Sequence, residues 1–182
     1  ISKLLNKNIN NADTLYAVSK LYTKIGNYNN AMNTINNALS IDDSNLNYLY
    51  QRGSINEIMG NTKSALNDYE KVLKINKNYA AANYKLAEIY LNNLKNDMNA
   101  ETYALNYLAL IPDDYSGYEL LGRIYKARAE KYIDKNTKTL LKEALSNYEA
   151  ALNKAVWGKD FNARKMIAEE IEYLQNEILE YK

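Results

Sequence analysis

The chain has no cysteine and no histidine among its 182 residues. Without cysteine it can form neither a disulfide nor a thiolate zinc site, and it has no thiol nucleophile. Without histidine it lacks the commonest general base and the commonest metal ligand of proteins. These two absences argue against catalysis, and we expect no catalytic residue, no bound metal and no cofactor.

Residues that interrupt regular backbone are also scarce, with one proline and six glycines. This scarcity favours helices over a turn-rich β fold. No apolar run approaches the ~20 residues of a membrane-spanning helix. The formal net charge is +1, so no bulk field draws the chain to nucleic acid or to an anionic membrane. We therefore expect a helical chain that neither inserts into a membrane nor binds nucleic acid.

Tyrosine is abundant, with 18 copies, and three of them recur at intervals of 34 residues, namely Tyr16, Tyr50 and Tyr84. Four other pairs share this interval: Gly26 and Gly60, Ala31 and Ala65, Leu39 and Leu73, and Ile41 and Ile75. A period of 34 residues with a helix–turn–helix pattern is typical of tetratricopeptide repeats. Over roughly residues 12–155 the chain resembles this family. The resemblance implies an all-α fold, a right-handed α-solenoid (superhelix) of antiparallel helix pairs.

The period divides the chain into four predicted units, 12–45, 46–79, 80–114 and 115–157, and the third has one extra residue in its internal turn. Each first helix carries a small residue where we expect two helix backbones to approach closely: Ser19, Gly53, Ala87 and Gly122. A tyrosine follows three residues later in three units, whereas Asn56 breaks the pattern in the second. Residues 1–11, with Leu4 and Leu5, are interpreted as the remnant of a preceding repeat helix. Since the chain starts at Ile1 rather than methionine, we expect a fragment of a longer protein, whose compartment stays open with the cytoplasm as the default.

The fourth unit departs from the period. Gly122 and Ala144 are 22 positions apart, whereas Gly53 and Ala65 are 12 apart, so ten residues are inserted. Apolar residues continue at helical spacing, which predicts that the first helix runs to about Asp134 and that Thr137 is the N-cap of the next. We interpret the insertion as a longer helical hairpin; a disordered insert is the alternative.

Basic residues are frequent in this long hairpin: Arg123, Lys126, Arg128, Lys131, Lys135, Lys138 and Lys142. A solvated face is the first interpretation, because Glu130, Asp134 and Glu143 are interleaved and can pair with them at helical spacing. A patch that binds phosphate or acidic groups is the second.

Residues 158–182, after Trp157, predict a further helix from about Asp160 to Tyr181. Its apolar residues are Phe161, Ile167, Ile171, Leu174, Ile178 and Tyr181, and glutamates occupy much of the rest. One apolar stripe with one charged face suits a capping helix that covers the last repeat. The spacing also permits a coiled-coil contact with a second chain.

The family resemblance implies a scaffold whose concave groove, lined by the first helices, binds a protein or peptide partner. The residues expected to face this groove are Tyr16, Lys20, Asn47, Tyr50, Ser54, Tyr84, Glu88, Glu119 and Arg123. Tyrosine is frequent at binding hot spots, but the three tyrosines could equally serve to pack neighbouring helices. The sequence therefore leaves open whether this tyrosine ladder contacts a ligand.

A second hypothesis is a self-assembly module that oligomerises through its C-terminal helix or its open N-terminal edge, although we expect a monomer rather than a homo-oligomer. An enzyme is the third hypothesis. Its only obvious carboxylate pairs, Asp42 with Asp43 and Asp113 with Asp114, lie at turns between units, where they are expected to cap the following helix. The sequence therefore predicts a protein without enzymatic activity.

Overall fold

The computed structural model describes residues 11–133, 135–156 and 159–181, and these form nine α-helices. The helices are α1 Ala12–Lys24, α2 Tyr28–Ile41, α3 Leu46–Ile58, α4 Thr62–Ile75, α5 Ala80–Asn92, α6 Asp97–Leu110, α7 Tyr115–Lys131, α8 Thr137–Lys154 and α9 Phe161–Glu180. They fall into two compact units, one ending at Ala82 and the other beginning at Asn83. The remnant helix predicted before Asn11 lies outside the described residues, as do Asp134 and Trp157.

In the first unit, α1 packs against α2, α3 packs against α4, and α2 packs against α3. Each hairpin closes through a glycine with left-handed backbone, Gly26 with a φ of 76° and Gly60 with a φ of 77°. The N–H of Asn27 then donates to the carbonyl of Tyr22 at 2.9 Å, and the same bond repeats one period later. Glycine suits this turn because it adopts positive φ without a steric penalty.

Small residues of α3 and α7 make room for large side chains of the following helix. A Cβ atom added at Gly53 would lie 2.8 Å from the ring of Tyr69, and one added at Gly122 would lie 2.8 Å from the ring of Tyr148. At these two positions a tyrosine ring is the nearest neighbour, which differs from the backbone-to-backbone approach expected from the sequence. In α1 the small residue has another use, since the Ser19 hydroxyl donates to the carbonyl of Ala31 at 2.9 Å.

Asn56, which breaks the repeat pattern, belongs to a buried polar network. The carboxylate of Asp68 is buried and accepts hydrogen bonds from Arg52 Nη2 at 2.6 Å and from Asn56 Nδ2 at 3.2 Å. The equivalent pair in the next hairpin, Tyr90 and Tyr103, stacks with its ring centroids 5.5 Å apart. The polar network therefore replaces an aromatic pair at this point of the repeat.

In the second unit, α6 packs against α7, α7 against α8, and α8 against α9. The turn between α5 and α6 contains the extra residue. It places Lys95 at a φ of 52°, a backbone conformation that glycine holds in the earlier turns. Asn96 still donates to the carbonyl of Tyr90 at 2.9 Å, so the same closing bond survives the insertion.

The hairpin of α7 and α8 has helices of 17 and 18 residues, whereas each helix from α1 to α4 has 13 or 14. α7 ends at Lys131, so the prediction that Tyr132 and Ile133 continue the helix is wrong. The N-cap of α8 is Asn136, and the prediction of Thr137 as the cap is wrong by one residue. The Thr137 hydroxyl instead donates to the carbonyl of Tyr132 at 3.1 Å and ties the connection to the end of α7.

The packing of α9 against α8 buries Ile167 and Leu174 in one apolar cluster with residues of α8. Arg164 donates through Nη1 to the carbonyl of Leu152 at 2.6 Å, which satisfies a group left open at the end of α8. Phe161 is 60% exposed, so its assignment to the buried stripe is wrong. The buried stripe therefore starts at Ile167, six residues later than the sequence pattern indicates.

Candidate partner-binding site

The predicted groove residues of the first unit lie on α1 and α3, which contact each other. The ring of Tyr16 is half-buried and lies 5.3 Å from the ring of Tyr48, measured between centroids. The ammonium of Lys20 lies 5.3 Å from the Tyr16 ring centroid. Tyr48 donates to Asp13 at 2.5 Å, and burial, with the help of this carboxylate, raises the pKa of Tyr48 to about 12.

Tyr50 is half-buried between two further tyrosines, with centroid distances of 5.3 Å to Tyr69 and 5.5 Å to Tyr79. The Tyr79 hydroxyl donates to Asn47 Oδ1 at 3.3 Å, and Ser54 follows Tyr50 one turn later on α3. The structure thus brings two predicted residues, Asn47 and Tyr50, into a tyrosine cluster that sequence reasoning missed. The signal that could have found it was the high tyrosine content outside the repeating column.

Tyr84, the third residue of the ladder, is also half-buried, and its ring centroid lies 5.1 Å from that of Tyr107. Burial, together with the charges of Glu88 and Glu119, raises the pKa of Tyr84 to about 12. Glu88 accepts a hydrogen bond from Lys85 at 3.0 Å. Tyr84 therefore contributes to packing between α5 and α6 with part of its ring exposed.

A cleft of about 850 Å³ opens in the second unit. Two predicted residues, Glu119 and Arg123, line it from α7, and α9 contributes a wall that the sequence interpretation assigned to the cap. The other lining residues are Leu91, Asn92, Lys95, Asp97, Lys126, Ala127, Glu130, Lys131, Tyr148, Met166, Ile167 and Glu170. The wall from α9 has no precedent in the 34-residue period, which is why sequence reasoning missed it.

The basic residues of the long hairpin find partners on other helices. Lys126 bonds Glu170 of α9 at 2.6 Å, and Arg128 bonds Asp97 of α6 at 2.6 Å. The prediction that these cations pair with interleaved carboxylates of their own hairpin is therefore wrong for both. Folding places carboxylates of neighbouring helices closer to them.

Glu119 differs from these paired groups. Burial raises its pKa, the charge of Arg123 opposes that shift, and the charge of Glu88 adds to it. Among the described residues none donates a hydrogen bond to Glu119 or to Glu130, and Lys95 donates none. The cleft thus contains two carboxylates and one ammonium with free hydrogen-bonding capacity.

The two aspartate pairs at the turns serve the fold. Asp114 is the N-cap of α7, accepting from the N–H of Ser116 at 3.0 Å and from the Tyr107 hydroxyl. Asp42 accepts from Asn45 Nδ2 at 3.2 Å, while Asn45 is the N-cap of α3. The prediction that the Asp42 pair caps the following helix directly is wrong, because Asp42 acts through Asn45.

In the part of the chain that the structure describes, no helix combines the length and the apolar character needed to cross a membrane. Nor do three or more acidic side chains of that part come together in a way that could hold a metal ion.

Helix hairpins of nearly constant length, repeated with a period of 34 residues, define the class of α-helical repeat proteins. Residues 12–45 and 46–79 each match the family model of the tetratricopeptide repeat. This match confirms the resemblance seen in the sequence, and it covers these two repeats.

The chain is similar to anaphase-promoting complex subunit 3 of Schizosaccharomyces pombe, with 26% identity over 173 residues. That alignment covers 94% of this chain and 24% of the relative, so the chain spans about a quarter of the relative's length. Among solved structures, MamA superposes with a TM-score of 0.71 at 24% identity, covering 84% of this chain and 83% of MamA. YrrB, described as a TPR protein with an unusual peptide-binding site, superposes with a TM-score of 0.64 at 14% identity, covering 96% and 92%. These likenesses show the helical-solenoid fold.

Proposed function

We propose that the chain is a protein-interaction scaffold that holds a peptide segment of a partner protein in the cleft of its second unit. Tetratricopeptide repeats generally mediate contacts between proteins. The observation that carries the proposal is the cleft itself, whose volume of about 850 Å³ lies in the range of ligand sites in proteins. The similarity to YrrB, a protein with a peptide-binding site, supports the same reading.

The lining of the cleft suits a peptide better than a small charged ligand. Met166 is 65% exposed although it is a large apolar side chain, and Leu91 and Ile167 line the same cleft. Covering such a side chain stabilises a complex by about 25 cal/mol per Å² of apolar surface removed from water. Charged groups around it can select the polar side chains of the bound segment.

A second contact surface is proposed on the first unit, made of Tyr16, Lys20, Asn47, Tyr50 and Ser54. Lys20 and Asn47 are exposed there, and the half-buried tyrosine rings are already held by neighbouring rings. Rings that are ordered before binding lose little conformational entropy when a partner covers them. This surface would bind a protein partner on the first unit independently of the cleft.

Selection from a random peptide library displayed on phage tests the role of the cleft. Ala127→Trp places a large ring in the cleft, and Lys165→Trp places the same ring on an exposed position of α9 outside it. Peptides enriched on the wild type should lose at least about tenfold in affinity for Ala127→Trp and stay within about twofold for Lys165→Trp, as read by fluorescence anisotropy. Circular dichroism confirms that both variants are folded.

The proposal is wrong if the wild type enriches no peptides, or if the enriched peptides bind Ala127→Trp as tightly as the wild type. Peptides that instead respond to Tyr16→Ala and Tyr50→Ala would place the contact on the first unit. Any of these three results would show that the cleft is not the principal binding site.

Self-assembly through α9 is the second candidate, because this helix leaves Phe161 60% and Leu179 79% exposed. Neither residue lines the cleft, so a second copy could cover them without occupying it. Light scattering between about 10 and 200 µM separates the candidates, since association rises with concentration. We expect the monomer mass of 20.9 kDa throughout. A larger mass that Phe161→Ser with Leu179→Ser returns to the monomer would establish self-assembly.

A further inference from the structure

The charged groups that line the cleft differ in whether they already have hydrogen-bond partners within the protein. Three of its four cations already donate to acceptors of the protein: Arg123 to Asn92 Oδ1 at 3.0 Å, Lys126 to Glu170 at 2.6 Å and Lys131 to Asp97 at 3.4 Å. Only Lys95 has no acceptor among the described residues. A ligand that presented carboxylates would therefore find one free ammonium and would have to compete for the others.

Of the four carboxylates that line the cleft, Asp97 and Glu170 accept hydrogen bonds from the lysines just named. Glu119 and Glu130 both line the cleft, and neither accepts a hydrogen bond from the described residues. They lie eleven residues apart on α7, which corresponds to about 16 Å along the helix. Glu119 is half-buried; the charge of Arg123 acts favourably on it, and the charge of Glu88 acts against it. Arg123 donates its hydrogen bond to Asn92 instead. A cation from outside would gain a charge-assisted hydrogen bond with Glu119.

Large apolar surface lies next to these carboxylates on α9. Met166 lines the cleft, and Tyr173, which is 51% exposed, lies two turns further on the same side of the helix. The ammonium of Lys126 is 4.4 Å from the Tyr173 ring centroid while it pairs with Glu170. α9 thus presents an ordered wall in which apolar and acidic side chains alternate every three or four residues.

We propose that the cleft selects a peptide segment in which a lysine or arginine stands beside large apolar side chains. The cation pairs with Glu119, and the apolar side chains cover Met166 and the exposed part of Tyr173. An acidic segment is disfavoured, because it would bring its carboxylates against Glu119 and Glu130 with Lys95 as the one unoccupied ammonium. This assignment rests on the proposed function of the cleft and names the chemistry of its partner.

The assignment gives α9 a role beyond covering the apolar face of α8. Ile167 and Leu174 hold the helix in place, while Met166 and Tyr173 on another side of it remain available to a ligand. One helix therefore completes the core and forms a wall of the site. The residues of the wall are close in sequence to those of the core, yet they point to different surroundings.

The composition of the peptides selected from the random library tests the assignment. On the wild type we expect lysine and arginine to be enriched over aspartate and glutamate by at least about threefold. On Glu119→Lys the preference should reverse, because the new cation repels basic peptides and attracts acidic ones. Glu169→Lys, the same charge change on an exposed residue of α9 outside the cleft, should leave the preference of the wild type unchanged.

A double-mutant cycle on the best peptide identifies the contact. Replacing the peptide's basic residue by glutamine, or Glu119 by glutamine, should each weaken binding by about five- to tenfold, and the two changes together should cost little more than one alone. Met166→Ser should weaken the same peptide by at least about tenfold, because it removes apolar surface from the wall without adding a charge.

These experiments test the basic chemistry of the peptide separately from the cleft as a peptide site. The preference for basic peptides is wrong if the enriched peptides are acidic or uncharged. It is also wrong if the losses in affinity from the two glutamine changes multiply, as those of independent changes do. In both cases the cleft remains a peptide site. A library that yields no peptide on the wild type overturns the proposed function together with this assignment.

Discussion

At the scale of single residues, the packing of tyrosine on glycine gives a sharp prediction for Gly53. Alanine favours a helix over glycine by about 1 kcal/mol, but a Cβ atom here would meet the fully buried Tyr69 ring at 2.8 Å. Overpacking of this kind costs about 1–3 kcal/mol, so we expect Gly53→Ala to lower the free energy of unfolding. The measurement is the midpoint of urea unfolding.

Ser64→Ala is the matched control, since Ser64 is exposed on α4 and its change introduces the same side chain without a clash. It should shift the midpoint little. A midpoint that rises for Gly53→Ala would mean that the Tyr69 ring moves aside, and it would contradict the packing argument.

The recurring small residues of the first helices could be predicted from the sequence, whereas the second-helix side chains that pack against them could not. Where the first helix carries glycine, the facing position of the second helix carries tyrosine, at Tyr69 and Tyr148. Where the first helix carries Ala87, the corresponding second-helix position is Ala104. The 34-residue period identifies the repeating position on each helix separately. That a glycine on the first helix faces a tyrosine on the second becomes visible only when the helices are packed.

At the scale of helices, α6 and α7 are joined by an ionic network. Arg128 lies 2.6 Å from Asp97 and 2.6 Å from Glu101, and Lys131 lies 3.4 Å from Asp97. Burial alone would raise the pKa of Asp97, but the hydrogen bond and charge of Arg128 outweigh it, with the help of Lys131, and the pKa is lowered. The network therefore depends on an ionised Asp97.

A lowered pKa in the folded state sets the direction of the pH dependence. The stabilisation from Asp97 is fully present above its unfolded pKa of about 4 and is lost as the pH falls through the lower folded value. We expect Asp97→Asn to destabilise the protein by about 1–3 kcal/mol at pH 7, and we expect this difference to shrink in acid. Thermal melting of both proteins from pH 7 to pH 2.5 measures it. A difference that stays constant down to pH 2.5 would contradict the assigned ionic role.

The attachment of α9 gives a second prediction at this scale. Ile167 is almost completely buried, so Ile167→Ala should lower the free energy of unfolding by about 2–4 kcal/mol through lost contacts and an empty cavity. Leu179→Ala, on the same helix but 79% exposed, should change it by less than about 0.5 kcal/mol. Equal effects of the two changes in urea unfolding would show that α9 is not held by its buried side.

The capping role of α9 and the division of the chain at residues 45, 79, 114 and 157 stay predictions. The helices of the structure agree in number with four hairpins and one further helix among the described residues. Whether α9 protects the last hairpin from association depends on its behaviour in solution. That question belongs with the light-scattering experiment on Phe161 and Leu179.

At the scale of the whole molecule, two features predict weak binding to nucleic acid. The net charge is +1, and basic side chains of the α7–α8 hairpin are paired with carboxylates. Lys126, Arg128 and Lys131 are already bonded to carboxylates, so they release few counterions from a nucleic acid. We expect no binding of a labelled DNA duplex at about 150 mM salt, measured by fluorescence anisotropy. Tight binding that weakens steeply with salt would instead support the phosphate-binding interpretation of the hairpin.

Local patterns in the sequence were sufficient for the class of fold, the repeat resemblance and the approximate extent of α9, because the spacing of small and apolar residues is a property of neighbouring positions. The end of α7 and the start of α8 escaped them, since the Thr137 hydroxyl bonds back across the connection. The cleft could not be read from the chain at all. Its walls include residues of α5, α7 and α9, which are far apart in sequence. Which charged groups pair depends on their distances in the folded chain. Only the packing therefore leaves Glu119 without a hydrogen-bond donor and Met166 exposed.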